Sequence, residues 1–264
     1  STLLFASVAL ITLSLFFIWM FQNCESVPYS ILLFFLSGKY FSSLNQIRQM
    51  LAMSIFFFAW KYIRERRPGR YLVCILIACM IHSSSIIYIP LYFLYGIQFD
   101  SRRLLKIVAG YCLALPLIFV CAPLLVQLTR FAWYLDSRFA QNNFDLIGFG
   151  MSFLIALLHW WLLRRQETGG SDKELGFMTL ISIGSCLVYF LTSSLPQVTR
   201  IAEAFSVIQI LSIPNLAKGE RNIYIRHIVL LIVALLFACK LFYNVYSTQW
   251  WYGVLPYHTF FYYQ

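Results

Sequence analysis

Apolar runs about as long as a bilayer is thick recur along nearly the whole of this chain, and they leave few folds open to it. A helix needs about 20 apolar residues to cross a hydrocarbon core, within about 17–25. On that measure Thr2–Phe21, Ile47–Ile63, Tyr71–Tyr95, Leu104–Leu128, Leu146–Leu163, Leu175–Leu195 and His227–Tyr243 read as membrane segments. Tyr29–Leu44 and Ile201–Leu216 read as shorter ones. In lipid every backbone polar group must find a partner within the protein, which favours helices. The expected fold is all-α, a polytopic transmembrane helical bundle of about 8–10 membrane segments.

Composition agrees. Of 264 residues, 61% are hydrophobic and 11% charged, where soluble domains run near about 45–50% and about 25%. A water-soluble fold would leave most of that apolar surface bare. Aromatic clusters such as Trp160-Trp161, Trp250-Trp251 and Phe260-Phe261-Tyr262-Tyr263 fit the boundaries where Trp and Tyr gather. Loops are short and no internal repeat is visible, so residues 1–264 read as a single integral membrane domain. The chain opens at Ser1 inside an apolar run, and a missing N-terminal part is expected.

The net charge of +10 suggests nucleic acid in a soluble protein. In a membrane chain it is better read as cytoplasmic Lys and Arg, and no nucleic-acid partner is expected. Fourteen of the 20 basic residues fall in four stretches: Lys61–Arg70, Arg102–Lys106, Arg164–Lys173 and Lys218–Arg226. The residues Asp136–Asp145, Ser193–Arg200 and Asn244–Gln264 then face outward. Seven scattered cysteines form no C-x-x-C pair, so neither a metal site nor a disulfide framework is expected.

One segment conflicts with this orientation. Tyr71–Tyr95 carries basic residues beyond both ends, so a single crossing would put one cluster outside. The sequence Ile81-His82-Ser83-Ser84-Ser85 lies halfway along and suits the tip of a re-entrant hairpin. Arms of about 11 residues reach about 17 Å, which ends near mid-membrane. Non-helical backbone is tolerated there when it is buried or lines a wet cavity.

Three places carry candidate chemistry. Asn45-Gln46-Ile47-Arg48-Gln49 opens the third segment. Arg48 reads either as a snorkelling side chain or as a guanidinium that grips phosphate oxygens two at a time. His82, with Ser84 beside it, is either a hydrogen-bonded structural histidine or a base at a wet hairpin tip. Arg200 and Glu203 stand three apart and share a helix face. They read as an ion pair that eases both into the membrane, or as a functional cation with its orienting carboxylate or base. His159 and His227 read as interfacial residues.

In order along the chain, these motifs resemble the EpsG family of bacterial exopolysaccharide proteins. The resemblance rests on Asn45-x-x-Arg48-Gln49-x-x-Ala52, the basic loop, Ala78-x-x-x-His82-x-Ser84 and Pro90-x-Tyr92. It continues through Arg200, Phe205, Ile213-Pro214-Asn215 and Pro256-Tyr257. The loop Phe21–Pro28 departs from it by lacking lysines.

The family is similar to Wzy-type polymerases, glycosyltransferases that join oligosaccharide repeat units carried on undecaprenyl diphosphate at the outer face of the bacterial inner membrane. The resemblance implies such a polymerase, multi-pass in the inner membrane and serving exopolysaccharide, capsule or O-antigen synthesis. Its partners would be the lipid-linked oligosaccharide, membrane lipid and other polysaccharide-assembly proteins. Arg48 and Arg200 would stabilise the leaving diphosphate, and His82 or Glu203 would take the acceptor proton. Asn45, Gln49 and Ser84, with the aromatics Trp133, Tyr134, Trp250 and Trp251, would contact the substrate. No D-x-D pair is present, so no metal or other cofactor is expected. The alternatives are an O-antigen ligase or other lipid-linked glycosyltransferase, a transporter or flippase of lipid-linked glycans, and a non-catalytic assembly subunit.

Overall fold

The computed structural model describes residues 2–128, 132, 144–166, 172–193 and 198–247, and among the described residues there is no strand. Among the described residues five helices are long and apolar enough to cross a membrane: Leu3–Asn23, Ser101–Cys121, Leu146–Gln166, Lys173–Phe190 and Ile223–Tyr246. Their outward faces stay apolar, with Leu3 85% and Leu113 84% exposed. Water would penalise such surfaces, whereas lipid chains solvate them. The all-α polytopic bundle is therefore the observed fold class. The chain packs as two compact units, Ser1–Phe93 with Tyr224–Gln264, and Leu94–Ile223.

In the first unit α1 (Thr2–Asn23) packs on α2 (Val27–Leu36), α3 (Lys39–Asn45) and α4 (Ile47–Phe58). Large aromatics fill the space between them. Phe16 and Phe34 have ring centroids 5.4 Å apart, and Trp19 and Phe57 4.3 Å. The sequence predicts one short segment over Tyr29–Leu44, but the chain breaks at Gly38, whose φ of 78° is open to glycine at little cost. Two half-length helices result. A turn at Ala59 leads into α5 (Trp60–Arg64). The last helix of the chain, α13 (Ile223–Ser247), joins through Tyr29, whose Oη donates to the Leu230 carbonyl at 2.5 Å.

The segment after the basic loop doubles back. Pro68 is the first residue of α6 (Pro68–Ile81), where its missing N–H breaks no bond. At His82 the backbone becomes extended (φ −147°, ψ 109°), Ser83–Tyr88 forms a 3₁₀ turn, and α7 (Ile89–Leu94) follows. Three contacts fix the return. Tyr71 Oη donates to the Tyr88 carbonyl at 2.6 Å. The Tyr71 and Tyr92 rings lie 5.4 Å apart, and Arg66 Nη1 donates to the Tyr92 carbonyl at 3.2 Å. A continuous helix would separate residues 71 and 92 by about 32 Å. The hairpin expected over 71–95 is thus the observed shape, with His82 at its tip.

In the second unit α8 (Ser101–Gln127) lies beside α9 (Leu146–Gln166) and α10 (Lys173–Phe190). Trp160 Nε1 donates to the Ser101 carbonyl at 3.1 Å, and Tyr111 Oη to the Leu187 carbonyl at 2.6 Å. These bonds run α9 antiparallel to α8 and α10 along it. Between them, α8 leaves an apolar slot of about 510 Å³ against α9 and α10. Ile201–Leu216, read as one short segment, is also divided: α11 (Thr199–Ser206) and α12 (Gln209–Lys218) meet at a turn over Val207 and Ile208.

Candidate functional site

The first unit carries Asn45, Arg48, Gln49, His82 and Ser84. Gln46 (φ −87°, ψ 51°) ends α3 and opens α4, so the helix axis changes direction between Asn45 and Arg48. Both are exposed, while Gln49 turns inward and is 6% exposed. His82 and Ser84 are half-buried at the hairpin tip, next to the buried Ser85. At 1.5 Å per residue, Arg48 lies about 24 Å along α4 and α5 from Arg64, and the tip about 20 Å along α6 from Pro68. Both therefore stand well away from the basic loop.

Sequence reasoning passed over Lys39, which the structure buries (7% exposed) together with Ser42, Ser43 and Gln49. A signal was present. Lys39, Ser42, Ser43, Gln46 and Gln49 recur at helical spacing and make a polar stripe within an apolar stretch. The serines are occupied locally, Ser42 Oγ donating to the Gly38 carbonyl and Ser43 Oγ to that of Tyr40.

The second unit carries Arg200 and Glu203, one turn apart on α11 as their spacing predicts. Arg200 is exposed and Glu203 half-buried. Helix α11 is held against α10 by Ser185 Oγ, which donates to the Ala202 carbonyl at 2.8 Å, and Gly184 leaves room for the Phe205 ring. These contacts put Arg200 near the end of α10 that finishes at Phe190. The opposite end of this unit is charged. Trp160 meets Ser101 there, Arg165 meets Glu220, and Gln166 Nε2 donates to the Leu216 carbonyl at 2.6 Å. Residues 100–106, 164–166, 172–174 and 216–221 gather at that end, with eight basic against four acidic side chains. The three basic stretches that the sequence assigns to one side, 102–106, 164–173 and 218–226, are thus adjacent over these residues.

Glu220 is firmly held at this end. Its side chain is only 4% exposed and takes Arg165 in a forked contact, Nε at 2.6 Å and Nη2 at 3.3 Å. Burial pushes its carboxyl up. The amide hydrogen bonds of Asn222 and Arg221 and the Arg165 guanidinium outweigh burial and hold it below the usual carboxylate range.

The structure corrects the reading of His159. It is not interfacial but 1% exposed, in the middle of a polar network that joins three helices. Its Nδ1 lies 2.7 Å from the Ile155 carbonyl, which requires the proton on Nδ1. Nε2 then accepts from Ser212 Oγ at 2.7 Å. Ser182 Oγ lies 3.5 Å from Nδ1 and accepts from Gln209 Nε2 at 3.3 Å. A serine bonded to imidazole has the form of a nucleophile and its base. Ser212 is fully buried, however, so this network joins α9, α10 and α12 and does not meet a substrate.

Trp133, Tyr134, Trp250 and Trp251 lie outside the described residues. The fold and the candidate cations define a polytopic membrane protein with a helical hairpin in one unit and a divided helix in each. The chain belongs to the EpsG family, whose model matches residues 1–259. No curated protein and no solved structure matches it.

Proposed function

We propose that this protein is a polysaccharide polymerase that joins oligosaccharide repeat units carried on undecaprenyl diphosphate at the outer face of the bacterial inner membrane. The family match over 1–259 supports this reading. The observation that carries it further is the placement of the candidate arginines. Arg48 and Arg200 are each exposed and each the second residue of a helix, and within its own unit each stands away from the basic end. With the basic ends toward the cytoplasm, both arginines lie where a lipid diphosphate meets the outer leaflet.

In the reaction an acceptor hydroxyl oxygen attacks the anomeric carbon of a donor unit. The bond from that carbon to the phosphate oxygen breaks, and the electron pair leaves with the lipid diphosphate. The planar forks of Arg48 and Arg200 stabilise the growing phosphate charge. His82 or Glu203 takes the proton from the acceptor hydroxyl. Asn45, Gln49, Ser84 and the four aromatics Trp133, Tyr134, Trp250 and Trp251 are the proposed substrate contacts.

The decisive experiment supplies lipid-linked repeat units alone to the full chain in proteoliposomes. Elongation without nucleotide sugar is expected. Arg48→Lys and Arg200→Lys keep the charge but lose the fork, and each is expected to reduce elongation by at least about tenfold, roughly one lost charge-assisted bond. Arg70→Gln and Arg221→Gln are expected to retain it. In cells, the lysine variants should accumulate single repeat units at the outer surface. Units trapped inside, together with no elongation by well-folded wild type, would instead identify a flippase.

A further inference from the structure

The slot beside α8 has one charged end and one apolar end. Leu104, Val108, Phe149, Phe153, Leu187 and Phe190 contribute to a lining that offers no polar surface. Two groups that would otherwise be polar there are occupied, Trp160 Nε1 by the Ser101 carbonyl and Tyr111 Oη by that of Leu187. An apolar cavity of this kind excludes water, and in a bilayer hydrocarbon is the available filler. Along α8 the lining runs from Leu104 to Leu115, about 17 Å of helix. That matches one leaflet of a core about 30 Å thick. Phenylalanines close the far end, with the Phe149 and Phe190 rings 5.7 Å apart.

The near end is the basic end of the unit. Arg102 is exposed and stands one helical turn from Leu105, a lining residue at the edge of the slot. Arg164 holds its guanidinium 5.4 Å from the ring of Trp160, itself a lining residue. Arg103 is partly engaged, donating to the Gln98 carbonyl, and Arg165 is paired with Glu220.

We propose that this slot binds one acyl chain of an anionic glycerophospholipid, with the phosphate headgroup resting on Arg102 and Arg164. Charge decides the headgroup, because a zwitterionic lipid would bring its own ammonium toward both arginines. Position argues against the isoprenoid of a lipid-linked substrate. A carrier with its diphosphate at Arg200 would need that group at the other end of the unit. The inference stands whether or not the chain is a polymerase.

The test uses the full chain in nanodiscs with two photoactivatable probes. Phosphatidylglycerol and phosphatidylcholine carry a diazirine at the same acyl carbon, and labelled peptides are mapped by mass spectrometry. Phosphatidylglycerol is expected to label residues 104–115 and 149–160 severalfold more than phosphatidylcholine. Arg102→Gln and Arg164→Gln should each reduce that excess by on the order of fivefold or less, and the double variant should abolish it. Ala156→Phe fills the slot and should suppress both probes. If that variant elutes as misfolded protein, Leu105→Trp at the outer edge replaces it. Equal labelling by the two probes in wild type overturns the proposal. So does undiminished labelling of a folded, filled variant. Displacement of the phosphatidylglycerol probe by undecaprenyl diphosphate at lower concentration than by unlabelled phosphatidylglycerol overturns it as well, and assigns the slot to an isoprenoid.

Discussion

Tyr71→Phe tests the hairpin with the loss of a single oxygen. The hydroxyl it removes donates to the Tyr88 carbonyl at 2.6 Å, and both residues are 2% exposed. The carbonyl keeps its place at the start of α7, so the loss is that of one buried hydrogen bond, about 0.5–1.5 kcal/mol. The phenylalanine ring keeps the 5.4 Å contact with Tyr92, so little packing is lost. Tyr88→Ala is the companion change. It removes a ring stacked on Phe56 at 4.0 Å and 4°, and large-to-small changes of this kind cost about 3–5 kcal/mol. Unfolding in mixed micelles of increasing denaturing detergent, followed by tryptophan fluorescence, should therefore rank wild type above Tyr71→Phe above Tyr88→Ala. The second measurement is geometric. In a Cys-free background, Arg67→Cys and Phe93→Cys are expected to react with an impermeant thiol reagent from the same side of the membrane, because Arg66 donates to the Tyr92 carbonyl. Reaction from opposite sides would show a single crossing and refute the hairpin, whatever the stability ranking.

Three further outcomes follow from the packing. His159→Ala should destabilise by about 2–4 kcal/mol in the same unfolding assay, and Ser212→Ala by about 1–2. The double variant should cost less than their sum because both act on one network. Gly176→Ala should cost about 1–3 kcal/mol, since a Cβ there runs into the Phe99 carbonyl, whereas Gly110→Ala meets nothing within 4 Å and should be neutral or stabilising. Glu220→Gln should cost about 1–2 kcal/mol at neutral pH, less than a fully buried pair because the Arg165 side chain is 42% exposed. The Glu220 carboxyl titrates lower when folded than when unfolded. Its contribution is therefore present above the unfolded value and is lost as pH falls through the folded one, so the two unfolding curves should converge in acid.

Much of the fold was legible because membrane thickness imposes a length that apolar runs record directly. The long helices α1, α8, α9, α10 and α13 follow from run length alone. The hairpin was legible from charge, since basic residues beyond both ends of Tyr71–Tyr95 weigh against a simple crossing. The divided helices were not. Gly38 lay inside an apolar run and was its one local sign, and Val207-Ile208 offers none, because β-branched residues suit a helix buried in protein as well as a turn. The same limit hid the role of His159. Ser212 is 53 residues away, and no local pattern announces that the two share a hydrogen bond. Arg200 and Glu203 were placed correctly on one helical face because a three-residue spacing is a local property.

That 53-residue separation also sets a schedule for biosynthesis. While α9 is entering the membrane, His159 can bond within its own helix to Ile155, but the Ser212 hydroxyl that serves Nε2 has not yet been made. At about 5–20 residues per second, the ribosome needs roughly 3–10 s to deliver it. For that interval an imidazole nitrogen stands in a hydrophobic helix without its final partner. The nascent chain must wait in contact with water, lipid headgroups or the insertion machinery until α12 arrives. Truncation anywhere between α9 and α12 would make the wait permanent.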